Sequence, residues 1–96
     1  MREKEIEKKL IQAVKKRSGI CLKFVSPGFA GVPDRIVLLP KSRIGFVEVK
    51  AQDEKPRPLQ TSRHKLLCRL GFKVYVLDDP AKIGEIIDQI EGGDAE

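Results

Sequence analysis

At 96 residues the chain has room for one domain around one core. A net charge of +5, from 19 Lys and Arg against 14 Asp and Glu, suggests a polyanionic partner, nucleic acid first. With 41% hydrophobic residues, 5% aromatics and no Trp, the core must rest on Ile, Leu and Val, and the charged opening Met1-Arg2-Glu3-Lys4-Glu5 argues against a signal peptide or membrane span.

Residues 2–17 are predicted to form a helix, because Ile6, Leu10, Ala13 and Val14 recur at helical spacing and Gly19 supplies a stop. Ile20 to Val25 reads as a strand. The loop Ser26-Pro27-Gly28-Phe29-Ala30-Gly31 follows, with glycines that permit unusual dihedrals. Arg35 to Leu39 is a second strand, Pro40-Lys41-Ser42-Arg43 a hairpin link, and Ile44 to Lys50 a third strand. Gln52 to Arg57 is a polar loop carrying Pro56. A second helix is expected over 58–70, opened by Pro58 and closed by Gly71, and Phe72 to Leu77 is a fourth strand. Asp79 is the expected N-cap of a last helix, with Pro80 at its first position and Ile83, Ile86, Ile87 and Ile90 on one face. Residues 92–96, beginning at Gly92-Gly93, read as a frayed tail, which leaves 1–91 as the domain.

The fold class is therefore α/β, in the order α-β-β-β-α-β-α. Short links make the first three strands an antiparallel meander. The fourth strand, reached through a helix, should lie parallel to its partner, giving a mixed four-stranded sheet flanked by helices. Cys21 and Cys68 have no second Cys or His at ligand spacing, and both sit in apolar stretches, so they are expected to be buried free thiols in a reducing cytosol. The single histidine, His64, supports neither a zinc site nor a Ser or Cys triad.

The chemistry concentrates in two short runs, Pro33-Asp34 and Glu48-Val49-Lys50. Alternate residues of a strand share a face, so Glu48 and Lys50 project to one side and Val47 and Val49 to the other. If the two strands pair as neighbours, Asp34 at the mouth of one approaches Glu48 on the next. Two carboxylates and an ammonium group converging on an apolar sheet are costly to desolvate unless they bind something, and a divalent cation is the natural guest. Taken singly, Glu48 and Lys50 are equally a surface ion pair; it is their combination with Asp34 that favours chemistry.

Gly31-Val32-Pro33-Asp34-Arg35, Phe46-Val47-Glu48-Val49-Lys50, Pro58-Leu59-Gln60 and Leu70-Gly71-Phe72, behind a Glu-bearing first helix, resemble the VRR-NUC (virus-type replication-repair nuclease) branch of the PD-(D/E)xK nuclease superfamily. The resemblance spans nearly the whole chain and is to the stand-alone phage and bacterial type. It implies a restriction-endonuclease-like fold and Mg²⁺- or Mn²⁺-dependent phosphodiester hydrolysis. Stand-alone members resemble dimeric Holliday-junction resolvases, so branched DNA, a homodimer and the cytoplasm of a bacterial cell or phage-infected host are implied. Nicking or flap cutting, an RNA substrate, and a catalytically idle DNA-binding module are the alternatives.

By the same resemblance, Asp34 and Glu48 would hold the metal together with the Val49 backbone carbonyl. Lys50 would orient the attacking water or offset charge in the transition state, and Gln60 would contact the water or the scissile phosphate. Glu3, Glu5 and Glu7 crowd the first helix. Glu7, on the face of Leu10 and Val14, is the expected further carboxylate, with Glu3 its rival. Lys23, Arg35, Lys55, Arg57, Arg63 and His64 are the expected DNA contacts. A twofold dimer would use the first and last helices, with Ile6, Ile11, Ile87 and Ile90 as its apolar patch.

Overall fold

A computed structural model describes residues 1–92. The first helix, α1, spans Glu3–Lys16. It places Ile6, Leu10 and Val14, spaced one turn apart, in a stripe that is 0% exposed. Glu3 and Glu5 in its first turn, with Lys15 and Lys16 in its last, complement the helix dipole. The Arg2 N–H donates to Glu5 Oε1 at 2.9 Å, satisfying one of the groups left open at the helix start.

Three strands follow: β1 (Ile20–Lys23), β2 (Arg35–Leu39) and β3 (Arg43–Val49). β1 pairs antiparallel with β2, and β2 with β3, as the expected meander. The hairpin between β2 and β3 turns through Lys41 and Ser42, both in the left-handed region at φ 67° and 62°. Helix α2 (Pro58–Arg69) carries the chain across the sheet to β4 (Val74–Leu77), which pairs parallel with β3. The spatial order is β1-β2-β3-β4. A 3-10 turn at Pro80–Lys82 leads into α3 (Ile83–Glu91). Asp79 caps that 3-10 turn, its side chain accepting from the Ala81 N–H at 2.9 Å, whereas α3 itself begins only at Ile83, after Lys82.

The two faces of the sheet differ. α1 and α3 cover one. There Val37, Leu39, Val47, Val49 and Leu77 of the strands meet Ile6, Leu10 and Val14 of α1 and Ile83, Ile86, Ile87 and Ile90 of α3 in a single apolar cluster. α3 lies close because β3 has Gly45 beneath it: a Cβ there would come within 2.6 Å of Ile90 Cδ1. α2 covers part of the other face, and Gln60 is its one buried residue. Phe24, Phe46 and Phe72 pack together on that side, with ring centroids 5.7 Å apart in each successive pair.

Several expectations are corrected. Ile6, Ile87 and Ile90 are filled against their own sheet, so they supply no dimer patch, and Ile11 is half-buried. Cys68 is exposed rather than buried, near the end of a helix that covers little; Cys21 is half-buried, and both thiols are free. β1 ends at Lys23, although Phe24 N–H still donates to the Asp34 carbonyl at 2.7 Å. β4 begins at Val74, two residues after the expected Phe72, because Gly71 at φ 98° turns the chain first. The expected tail at 92–96 lies, from residue 93 on, outside the described residues. Among the described residues no helix is long and apolar enough to cross a membrane.

Candidate active site

β3 builds the centre of the site by alternation. Val47 and Val49 enter the apolar cluster, and Glu48 takes the opposite face, 1% exposed. An ionised carboxylate this deep needs partners, and Glu48 has several. Gln60 Nε2 donates to its Oε2 at 3.0 Å, Lys50 Nζ stands 3.6 Å from the same oxygen, and His64 Nε2 lies 3.4 Å from Oε1. Gln60 and His64 are one turn apart on α2, so a single helix face delivers both. Gln60 is itself fixed, since its Oε1 accepts from the Arg57 N–H at 2.9 Å.

Asp34 completes the cluster from the end of the β1–β2 loop. It stands one residue before the Arg35–Val47 pair of the β2–β3 ladder, which continues in register to Glu48. Its Oδ2 accepts from the Val49 N–H at 2.8 Å. In an antiparallel ladder a residue's N–H and C=O turn to the same neighbour, so the Val49 carbonyl faces the Asp34 side as well. Burial, and then the Asp34 carboxylate beside it, push the Glu48 carboxyl up to about 7; the Lys50 ammonium pulls the other way. Burial also holds His64 below its ordinary value, which favours the neutral ring.

The first-helix glutamates divide between two roles. Glu7 Oε2 accepts from Arg35 Nε at 2.9 Å, on the α1 side of the sheet. Arg35 also donates to the Cys21 carbonyl at 3.4 Å, so this expected DNA contact is spent on α1 and β1. Glu3 instead feels the site. Its carboxyl is raised first by partial desolvation and then by Asp34, and lowered by Lys50. α1 starts near the end of β3 because the chain start is tied there: Gln52 N–H donates to the Met1 carbonyl at 3.0 Å. Glu3, in the first turn of α1, thereby senses the charges of Asp34 and Lys50.

Of the remaining basic candidates, Lys23, Lys55 and Arg57 are exposed. Arg63 reaches back to the β1–β2 loop, its Nε donating to the Ala30 carbonyl at 2.7 Å. His64 turns inward to Glu48, with its side chain 11% exposed. The Gln60–His64 spacing was the visible signal for that inward turn; the Met1–Gln52 tie leaves no pattern in the sequence.

The donor set is one of hard oxygens: Asp34, Glu48 and a main-chain carbonyl, with Glu3 nearby. Among the described residues no three or more His, Cys, Asp and Glu side chains form a ready metal cage. Mg²⁺ does not require one, since it is held by one or two carboxylates, waters and substrate phosphates. Two adjacent carboxylates with one lysine between them leave negative charge to offset, so the residues present fit a divalent cation.

No family model matches the chain. It is 55% identical, over 81% of its own length and 84% of the relative's, to "Putative nuclease p44" of Acyrthosiphon pisum secondary endosymbiont phage 1. Its fold superposes with a TM-score of 0.83 on a solved "VRR_NUC domain", at 29% identity, covering 90% of this chain and 94% of that one.

Proposed function

Since the chain belongs to the VRR-NUC family of nucleases, we propose that it is a divalent-metal-dependent DNA endonuclease selective for branched structure, with its reacting centre at Asp34, Glu48 and Lys50. The observation that carries this reading is Glu48. A carboxylate 1% exposed, gathered with an amide, an imidazole and an ammonium group, has no packing role that an apolar residue would not fill better.

Asp34, Glu48 and the Val49 carbonyl would hold Mg²⁺ or Mn²⁺. Glu3 would add a further carboxylate in preference to Glu7, because its titration responds to Asp34 and Lys50 while Glu7 is engaged by Arg35. The bound cation supplies acidity to a water and offsets charge growing on the phosphate. Lys50, 3.6 Å from Glu48, would hold its ammonium against the attacking water or the developing charge. Gln60 fixes the Glu48 carboxylate in one orientation. Neutral His64 borders the same carboxylate and adds no positive charge to it. Lys23, Lys55 and Arg57 would supply phosphate contacts that fix position without reading sequence, which suits recognition by shape.

Cutting two strands of a junction needs two such centres, and a twofold pair of chains supplies them. With the α1 and α3 isoleucines buried, the exposed Ile20 and Leu22 on the open edge strand β1 would offer it an apolar surface. The test is incubation with labelled four-way junction, flap, splayed and linear DNA in Mg²⁺, in Mn²⁺ and in EDTA, with light scattering for mass. Metal-dependent, symmetric cuts in the junction by a dimer are expected. Cleavage in EDTA would remove the metal. Equal rates on linear duplex would remove structure selectivity, and a strict monomer on and off DNA would remove the paired-site reading.

A further inference from the structure

Of the four Phe residues, Phe24, Phe46 and Phe72 pack on one another on the same face of the sheet as the site. Phe29 stands apart, at the tip of the β1–β2 loop and 42% exposed. Its ring partner is a cation: the Arg63 guanidinium carbon lies 3.8 Å from the ring centroid. Arg63 is held in turn by its bond to the Ala30 carbonyl at 2.7 Å.

The loop is also pressed onto α2. Gly31 sits at φ 92°, and a Cβ there would come 2.8 Å from Leu59 Cγ and 3.0 Å from Arg63 Cγ. The ring is therefore backed by the guanidinium in a loop held against α2, while the residue stays 42% exposed. It also sits beside the proposed chemistry: Arg63 precedes His64, the neighbour of Glu48, and the loop runs directly into Asp34.

We propose that Phe29, backed by Arg63, is a stacking platform for an unpaired nucleobase, so that the enzyme selects DNA with unpaired nucleotides next to the scissile phosphate. This rests on the nuclease reading and deepens it. A preheld aromatic face binds a base without a further ordering cost, and any base has a π-face to offer. Bases inside a duplex already have both faces covered by their neighbours, so only an unstacked base can use the ring. The guanidinium under the ring adds positive charge where the strand's phosphates must pass.

The test uses DNA with 2-aminopurine in a short single-stranded gap and a fully paired control, in EDTA, with the full chain and its F29A, F29L and F29W variants. Stacking changes the fluorescence of wild type and F29W on gapped DNA, and F29A and F29L lose the change. Gapped-DNA affinity falls about 5- to 150-fold in those two, the span of a lost base–aromatic stack. Affinity for the paired control stays level, and the cleavage ratio of gapped to paired DNA in Mg²⁺ falls in parallel. F29L keeps the apolar cover over Arg63 without a ring, and melting curves confirm its fold. Gapped-DNA binding by F29L at wild-type strength, or equal loss on both DNAs, overturns the platform. Because binding is read in EDTA, the platform is decided separately from whether the protein cuts DNA.

Discussion

The two faces of this four-stranded sheet are made from the same strands and follow opposite rules. Under α1 and α3 every strand residue in the cluster is apolar, and the best-covered side chains are 0% exposed. Under α2 the most buried side chain on β3 is a glutamate, and the helix contributes a glutamine and a histidine to it. A period of two separates the faces: Val47 and Val49 belong to one, Glu48 to the other. Stability thus accumulates on one side while the other holds charges that packing alone would reject. On the proposed function, a thin helix cover suits that second side, since the substrate has to reach it.

The sharpest way to break this division is E48Q, which keeps the shape and removes the charge. Cleavage of any DNA substrate should drop by at least about 10²- to 10³-fold, the scale of losing one preorganised electrostatic group, while the melting temperature at pH 8 does not fall. Near-normal turnover in E48Q would dissolve the distinction between the faces. The mirror experiment is I87A. Ile87 is 1% exposed, and its truncation should cost about 2 to 5 kcal/mol in denaturant unfolding. Cleavage per folded molecule should stay within about twofold, because the sheet lies between the cavity and the chemistry.

Acidity sharpens the contrast further. The folded Glu48 carboxyl titrates near 7, well above its ordinary value. Between the two values the folded protein holds a proton that the unfolded chain has released, so metal-free stability should fall as pH rises from about 5 to 8. Thermal melts in EDTA should show this slope. E48Q should flatten it, and Mg²⁺ should restore stability at pH 8 in wild type but not in E48Q. The smallest effect belongs to the polar rim of the apolar side. Arg17 ties α1 to α3 through Asp88 and Glu91 at 2.8 Å each. R17A should lower the melting temperature less than I87A does, since exposed ion pairs are screened by water and salt.

Much of this was legible in the sequence. Apolar spacing placed every helix and strand, and the hairpin and crossover lengths fixed the mixed topology. Asp79-Pro80 marked the start of the last helical segment, with Asp79 as cap. Alternation along β3 placed Glu48 and Lys50 together. What escaped depends on contacts between distant segments. Arg35 looks like any basic residue until Glu7 is brought to 2.9 Å from it. Glu3 and Glu7 share a helix face, yet Glu7 pairs with Arg35 while Glu3 responds to the charge of Asp34. Local pattern reports which side of an element a residue takes, not what the neighbouring element puts there. Cys68 shows the converse: its apolar surroundings suggest burial, but α2 has little to bury against.

The parallel β3–β4 pair has a consequence for the chain while it is being made. The meander of β1, β2 and β3 joins neighbours in sequence, so Asp34, Glu48 and Lys50 are present as soon as the first half has left the ribosome. Gln60 and His64 come later, on a crossover that cannot dock until Val74–Leu77 closes the ladder and α3 roofs the opposite face. The acidic pair is therefore finished last, by the slowest kind of strand pairing. Nascent or prematurely terminated chains would thus carry Asp34 and Glu48 without the amide and imidazole that border Glu48 in the folded protein.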